Sequence, residues 1–460
     1  MAKKIDFLAI ASENDIKKRC EEISSEFGYT YVSLNTVDQF AEREAEFVET
    51  TFILISAEQV EVDADIAGMV QVVRQVAPDS YILVAISSKL DPKVAVFVKK
   101  SGANAVFIGS ELRHTSKLEF VASQKIQSSY LPVKVNEIVA DSIFECSLFH
   151  LMPLNRKYMP VIHAKEVITP KKLEKLKEVG EIYVKREHIS HFQKYTEKYM
   201  DKSANGLSGR CRGQFLSLFG SYVDLILLIS DQSESTSFKE GATLYERCEK
   251  LASDLMNTLG AVGNAWGIIN NTAIGQFGSL ERAPSVAAYA GLLSLHSGIG
   301  IPTQVMAAAF MCDIGMIDLS PKTTRKIRKG ESIESLSAEE QQAYRSHPVM
   351  SLEKALSRKL QIPESVKNTI LCSHERVDMK GFPKRPRPEK IPLEAMLLQI
   401  CEEIDRGSMI RLNQERPKIE DVKKSIFEKH YAAGDAFSLL FLEKMKSQME
   451  FCLLHQSYCP

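Results

Sequence analysis

The sequence lacks an excess of charge of either sign: 58 lysines and arginines face 59 aspartates and glutamates, a net of −1. No global field is therefore available to recruit nucleic acid or an anionic membrane surface, and any anion site must be local. Tryptophan occurs once, and the nine cysteines include no CxxC pair. Such an odd, scattered set argues against a disulfide scaffold and fits a reducing, cytoplasmic setting. No apolar run reaches the roughly 20 residues of a membrane span. The nearest, FLSLFGSYVDLILLIS at 215–230, contains Asp224, so no membrane insertion is expected. The opening MAKKIDFLAIAS has no small-residue cleavage site and reads as a first strand. Walker, Rossmann and Ser-His-Asp patterns, internal repeats and heptads are also missing, which sets aside the nucleotide-loop, solenoid and coiled-coil classes.

What is present is globular: 460 residues, 44% hydrophobic and 25% charged, enough for about three folded units. Over 1–115 the apolar runs DFLAIAS, TFILIS, YILVAIS and NAVFIG alternate with amphipathic helical stretches. That alternation predicts an α/β domain with a doubly wound parallel sheet. Residues 128–195 change character, with LPVKVNEIV, LFHLMPLNRKYMPVIHAKEVI and EIYVKREH around the helical TPKKLEKLKEVG. A small α+β connector is expected, its helix starting at Thr169–Pro170 and stopping at Gly180. His150, His163, His188 and His191 lie there without a metal-ligand rhythm. From 207 onward nearly every apolar run has helical spacing, giving linking helices over 207–275 and an all-α bundle over 276–460. The stretch before Ser279 is expected to link the domains and offer a face for a homodimer.

The run spacing and the SGAN turn of the first domain resemble a response-regulator receiver. The resemblance implies acidic residues after the first strand, an aspartate ending the third, a hydroxyl after the fourth and a lysine after the fifth. Here those places hold Ser12 and Glu13, then Ser56, Ser87 and Gly109. Serine cannot form the acyl phosphate, and no lysine is there to pair with one. The expectation is a pseudo-receiver that docks protein. A second short match, DKSANG at 201–206, fits half of the PilZ signature for cyclic dinucleotides, but the upstream RxxxR is absent. A polar inter-helix turn is the expectation there.

Between 281 and 406 the order VAAYAG, AAAFMCDIGMIDLS, KG with LSAEE, HP, SHERVDMKGFP, IP and CEEID is similar to the HD-GYP branch of the HD superfamily. That resemblance implies hydrolysis of cyclic di-GMP at a site of two or three metals, where histidines and carboxylates lower the pKa of a bridging water. Carried over by position, the early-helix histidine becomes Arg282, the His-Asp pair becomes Cys312 and Asp313, and the histidine before proline is His347. The adjacent histidines become Ser373 and His374, the late aspartate becomes Glu402, and the phosphate-contacting lysine becomes Met316. The loss of the first histidine does not depend on alignment, since none occurs from 192 to 295.

Cys312, Asp313, His347, His374 and Glu402 remain as candidate ligands, a set expected to hold no metal or a single zinc or iron ion rather than a two-metal centre. Cys372 and Cys401 beside them are expected to pack as small apolar residues. The GYP motif stands as Gly381, Phe382 and Pro383 after Arg376, and Lys384, Arg385, Arg387 and Lys390 follow. These offer contacts to a phosphate or an acidic protein surface, against the plainer reading of a solvated basic loop. The expected function is that of a bacterial signalling protein, a pseudo-enzyme acting through protein partners. The alternatives are a cyclic di-GMP phosphodiesterase with a rearranged metal centre and a receptor that binds cyclic di-GMP without cutting it.

Overall fold

The structure is a computed structural model that describes residues 4–60, 62–89, 93–127, 129–152, 157–179, 181–201, 203–231, 234–272, 279–408 and 417–445. Contacts divide the chain into two units. The first gathers Met1–His191, Ile226–Gly241 and Ile317–Lys322, and the second holds Phe192–Leu225, Ala242–Met316 and Thr323–Pro460.

In the first unit β1 (Phe7–Ile10), α1 (Asn14–Phe27), β2 (Tyr31–Leu34), α2 (Val37–Glu42), α3 (Glu44–Phe47) and β3 (Phe52–Ser56) open the α/β winding. It continues through α4 (Asp63–Val76), β4 (Tyr81–Ile86), α5 (Lys93–Lys100), β5 (Ala105–Ile108), α6 (Gly109–His114) and α7 (Lys117–Ile126). The five strands are parallel in the order β2-β1-β3-β4-β5, a doubly wound arrangement with its switch point between β1 and β3. Central strands such as FLAI and FILIS are buried at every residue because both faces are covered by helices. The edge strand YVSL escapes a reading by hydrophobic runs because only Leu34 of its four residues is buried. Buried Arg19 on α1 pairs with Glu119 on α7 at 2.8 Å.

The connector begins with β6 (Tyr130–Lys134), β7 (Ser142–Ile143), β8 (Leu148–Met152) and β9 (Lys157–Ile162). It ends with β10 (Val167–Ile168), α8 (Pro170–Val179) and β11 (Glu181–Lys185). A four-stranded antiparallel sheet, β6-β11-β8-β9, buries Leu131, Val133, Leu148, Ile182 and Val184, while β7 pairs with β10. Pro170 opens α8 as expected, and its expected stop, Gly180, lies outside the described residues.

Helices make up the remainder: α9 (Ile189–Tyr199), α10 (Ala204–Ser230), α11 (Glu234–Leu259), α12 (Ala265–Thr272) and α13 (Ser279–Ser297). These are followed by α14 (Pro302–Met311), α15 (Pro321–Arg328), α16 (Ala338–Ser357), α17 (Glu364–Leu371), α18 (Leu393–Gly407) and α19 (Ile419–Ala433). Asp201, Ser203 and Gly206 of the DKSANG string lie where α10 begins: Asp201 Oδ1 accepts from the Ser203 amide, and Ser203 Oγ accepts from the Gly206 amide. The apolar run at 215–230 belongs to a helix longer than the run itself. Residues Gly206–Ser230 are long and apolar enough to cross a membrane, and 89% of that window is buried inside the protein. Gly291 lets α13 close on α14, since a Cβ there would lie 2.7 Å from the sulfurs of Met256 and Met306. The single tryptophan, Trp266, stacks on Tyr289 with centroids 5.1 Å apart.

Candidate metal centre

Cys312 and Asp313 follow the end of α14, where Asp313 opens a tight 3-10 turn over Ile314–Asp318. Gly315 is required in that turn because a Cβ would stand 2.4 Å from the His347 carbonyl oxygen and 2.9 Å from the Ser351 amide nitrogen. Buried Ser351 fastens the turn: its Oγ accepts from the Gly315 amide at 2.7 Å and lies 2.7 Å from the Cys312 carbonyl oxygen.

His347 is fixed by the proline that follows it. Pro348 has no N–H, so the Tyr344 carbonyl four residues earlier loses its normal helical donor. His347 Nδ1 takes that place at 2.5 Å from the Tyr344 oxygen. A carbonyl only accepts, so the proton is on Nδ1, and in the neutral ring Nε2 is left bare. That nitrogen lies 3.2 Å from Asp313 Oδ1 and 3.1 Å from His374 Nε2, and His374 Nε2 is 3.9 Å from the same carboxylate oxygen. Ligands on one ion with bonds of about 2.0–2.2 Å have such spacings. Two imidazoles and a carboxylate on one side are also a recurrent set for ferrous iron. Burial pushes the Asp313 carboxyl up, but contacts with His347 and His374 outweigh it and hold the group below the usual carboxylate range. Burial lowers the pKa of His374 against the opposing pull of Asp313, keeping the ring neutral and able to ligate.

Asp313 also belongs to a second group with Cys312 and Glu402, whose donor atoms all lie within 4.8 Å of one another. Here the chemistry is weaker. Burial, reinforced by the nearby Asp313 charge, pushes Glu402 up to about 8, and burial raises the Cys312 thiol well above its ordinary value. The places where further imidazoles are expected are closed. Buried Arg282 is committed to Asp405 on α18 at 3.1 Å, and buried Ser373 has a hydroxyl with no hydrogen-bond partner. Met316 is buried, its amide donating to the Asp313 carbonyl. The residues therefore fit one ion at Asp313, His347 and His374, with no imidazole among the described residues to complete a second site. A bound ion would polarise an oxygen of a coordinated group.

The GYP segment forms a lid on His374 by its own geometry. A Cβ on Gly381 would meet the Arg376 amide at 2.5 Å and the His374 carbonyl at 2.6 Å, so only glycine fits. The Phe382 amide donates to that carbonyl at 3.1 Å, and its ring stacks on His374 with centroids 4.7 Å apart. The Phe382–Pro383 peptide is cis. Glu375 Oε1 accepts the amides of Lys384 at 2.6 Å and Arg385 at 2.9 Å, and Arg385 Nε donates to the Gly381 carbonyl. Arg376, expected to reach a ligand, instead grips Asp378 with two hydrogen bonds and lies 3.2 Å from Asp435. Its charge is balanced by these two carboxylates. Cys401 is buried, as expected of an apolar filler, whereas Cys372 at the end of α17 is half-buried.

Tyr344 and Ser351 were missed in sequence. Tyr344 packs its ring against His347, His374 and Phe382. The available signal was their spacing from His347 on one helix, three residues before and four after.

Ser56 ends β3 and Gly109 follows β5, both at the C-terminal end of the parallel sheet. Ser56 is buried with an unpartnered hydroxyl, and a Cβ on Gly109 would lie 1.9 Å from the Glu58 carboxyl carbon. Arg113 on α6 pairs with Glu58, and its Nε lies 3.0 Å from Asp15. An internal ion pair thus occupies the region beside the switch point.

Residues 276–407 match the family model described as the HD domain, so the helical region carries an HD domain. No curated protein matches the chain. Solved structures similar to it include Bd1817, an HDG"Y"P protein from Bdellovibrio bacteriovorus, at 16% identity and a TM-score of 0.45. That match covers 70% of this chain and 99% of the other. Another is the HD domain of the L. monocytogenes phosphodiesterase PgpH in complex with cyclic-di-AMP, at 14% identity and a TM-score of 0.28, covering 42% of this chain and 97% of that one.

Proposed function

We propose that this chain is a bacterial cytoplasmic signalling protein with a degenerate HD-GYP domain that binds one metal ion and regulates through protein partners. The buried Arg282–Asp405 pair carries this reading, because it puts a permanent cation and its counter-ion where a second set of imidazoles is needed. Two-metal hydrolysis requires both ions to clamp the attacking and leaving oxygens. Here Asp313, His347 and His374 orient a single ion, Phe382 shields one face of His374, and Met316 offers a phosphate nothing. The receiver-like domain, without a phosphoacceptor at Ser56 or a lysine at Gly109, serves as a docking module. A homodimer through the linking helices completes the expected assembly.

The test is metal content by elemental mass spectrometry on anaerobically purified protein, combined with hydrolysis of cyclic di-GMP by iron- and manganese-loaded samples. One ion per chain without turnover is the expected result. Two ions with turnover would refute the reading and favour the rearranged phosphodiesterase, which the sharing of Asp313 between two donor groups supports. The non-hydrolysing receptor has less support, since Arg376 is held by Asp378 and Asp435. Calorimetric titration with cyclic di-GMP tests it directly.

A further inference from the structure

The three most exposed large apolar side chains among the described residues lie on two touching segments of the second unit: Leu440 at 74%, Leu439 at 68% and Met379 at 57%. The Val377 amide donates to the Ala436 carbonyl at 3.1 Å, and Arg376 lies 3.2 Å from Asp435, so the two segments meet. Neither leucine is needed for the core. Ser438 Oγ accepts the Phe441 amide at 3.3 Å to start a helical turn, and that stretch already buries Phe441, Leu442 and Met445. Met379 is held out against its own preference: its φ of 58° is left-handed, a conformation that costs any residue with a Cβ. An exposed methionine in that conformation gives the fold nothing in return.

Positive charge follows directly in the loop. Between 384 and 390 stand Lys384, Arg385, Arg387 and Lys390 against the single Glu389. Asp378 is taken by Arg376 and Lys380, whereas among the described residues no ion pair engages Lys384, Arg387 or Lys390, all of them exposed. The loop is ordered before anything binds. Glu375 Oε1 accepts the Lys384 and Arg385 amides, and Pro383, Pro386 and Pro388 restrict the backbone, so association loses little conformational entropy here. Charge alone would suit a nucleic acid, but a phosphate backbone offers three aliphatic side chains no apolar surface. Exposed apolar anchors beside unpaired cations fit a protein segment that carries carboxylates around apolar residues.

We propose that Met379, Lys384, Arg387, Lys390, Leu439 and Leu440 form the docking surface for an acidic amphipathic helix of a partner protein. This rests on the reading above of a regulator that works through protein partners, and it assigns the helical domain a contact of its own.

The probe is a labelled synthetic helix with leucine at three- and four-residue spacing and glutamate between, titrated with the full chain by fluorescence anisotropy. Control ligands replace every leucine by serine, replace every glutamate by lysine, or are oligothymidylate. The acidic amphipathic helix is expected to bind, each control at least about tenfold more weakly, and added salt should weaken the binding. Lys384→Glu/Arg387→Glu and Leu439→Ser/Leu440→Ser should each weaken it about tenfold or more. Met379→Gly should weaken it about fivefold, the loss of one anchor, while the melting temperature holds or rises because glycine adopts that φ freely. Equal binding of the lysine helix, tighter binding of oligothymidylate, or undiminished binding by the variants would overturn the proposal. No binding by protein that holds one ion per chain without turnover would also overturn it and leave the single-ion reading standing. Binding by protein that holds two ions and turns over cyclic di-GMP would support the surface and refute the pseudo-enzyme reading.

Discussion

Replacing Pro348 by alanine should lower metal affinity with little change in stability. A proline inside a helix is about 3 kcal/mol less favourable than alanine, and Pro348 lies well inside α16. The unfolded chain regains freedom when the ring is removed, which offsets about 0.4–1 kcal/mol of the gain. A net of about 2 kcal/mol remains, but leaving the buried His347 Nδ1–H unpaired costs about 1–3 kcal/mol, so the melting temperature should change little. The amide N–H gained at position 348 would then donate to the Tyr344 carbonyl and displace His347 Nδ1, now 2.5 Å away. A ligating histidine that loses the acceptor for its second nitrogen is expected to bind metal about 10- to 100-fold more weakly. Differential scanning fluorimetry in chelator gives the stability, and zinc competition against a chromogenic chelator gives the affinity. A rise in melting temperature with unchanged zinc affinity would refute the argument that the Tyr344 carbonyl selects the His347 tautomer.

Arg282→Met should destabilise the protein by about 3–5 kcal/mol at pH 8, because it removes the principal counter-charge of the buried Asp405 carboxylate. Burial pushes Asp405 up to about 6, so denaturant titration should show a smaller loss at pH 5, where the group takes a proton. The double variant Arg282→Met/Asp405→Leu should recover most of that loss. Gly315→Ala should cost about 1–3 kcal/mol from overpacking and abolish cobalt binding, both measured on the purified chain; retained binding would show that the turn yields without moving Asp313. The hydrogen bonds from Arg376 hold Asp378 at about 2, below its unfolded value. Its stabilising contribution is therefore present above about pH 4 and lost as the pH falls toward 2. The protection factor of the 376–385 peptide against hydrogen exchange should fall over that window, and Arg376→Met should remove that fall.

Much of the α/β architecture was legible because β1, β3, β4 and β5 are buried on both faces and announce themselves as apolar runs. The half-exposed β2 carried no such pattern, so its existence follows from pairing with β1 rather than from its own residues. The HD-type order of motifs also survives in sequence, since Gly315 and Gly381 are demanded by local backbone geometry that a spacing can record. Residue type alone could not anticipate that Arg376 would pair with Asp378 and with Asp435, far off in the chain. It also could not anticipate that Glu58 and Arg113 would fill the end of the sheet.

By itself the sequence determined which donors exist: one carboxylate and two imidazoles at Asp313, His347 and His374, with arginine and serine at places where histidines were expected. Only the tertiary structure decided that those donors meet within 3.1–3.9 Å while Arg282 turns to Asp405. Local pattern fixes a helix and its face, but the approach of α14, α16, α17 and α18 is set by packing between segments distant in the chain. Coordination depends on distances of a few ångströms that packing alone supplies.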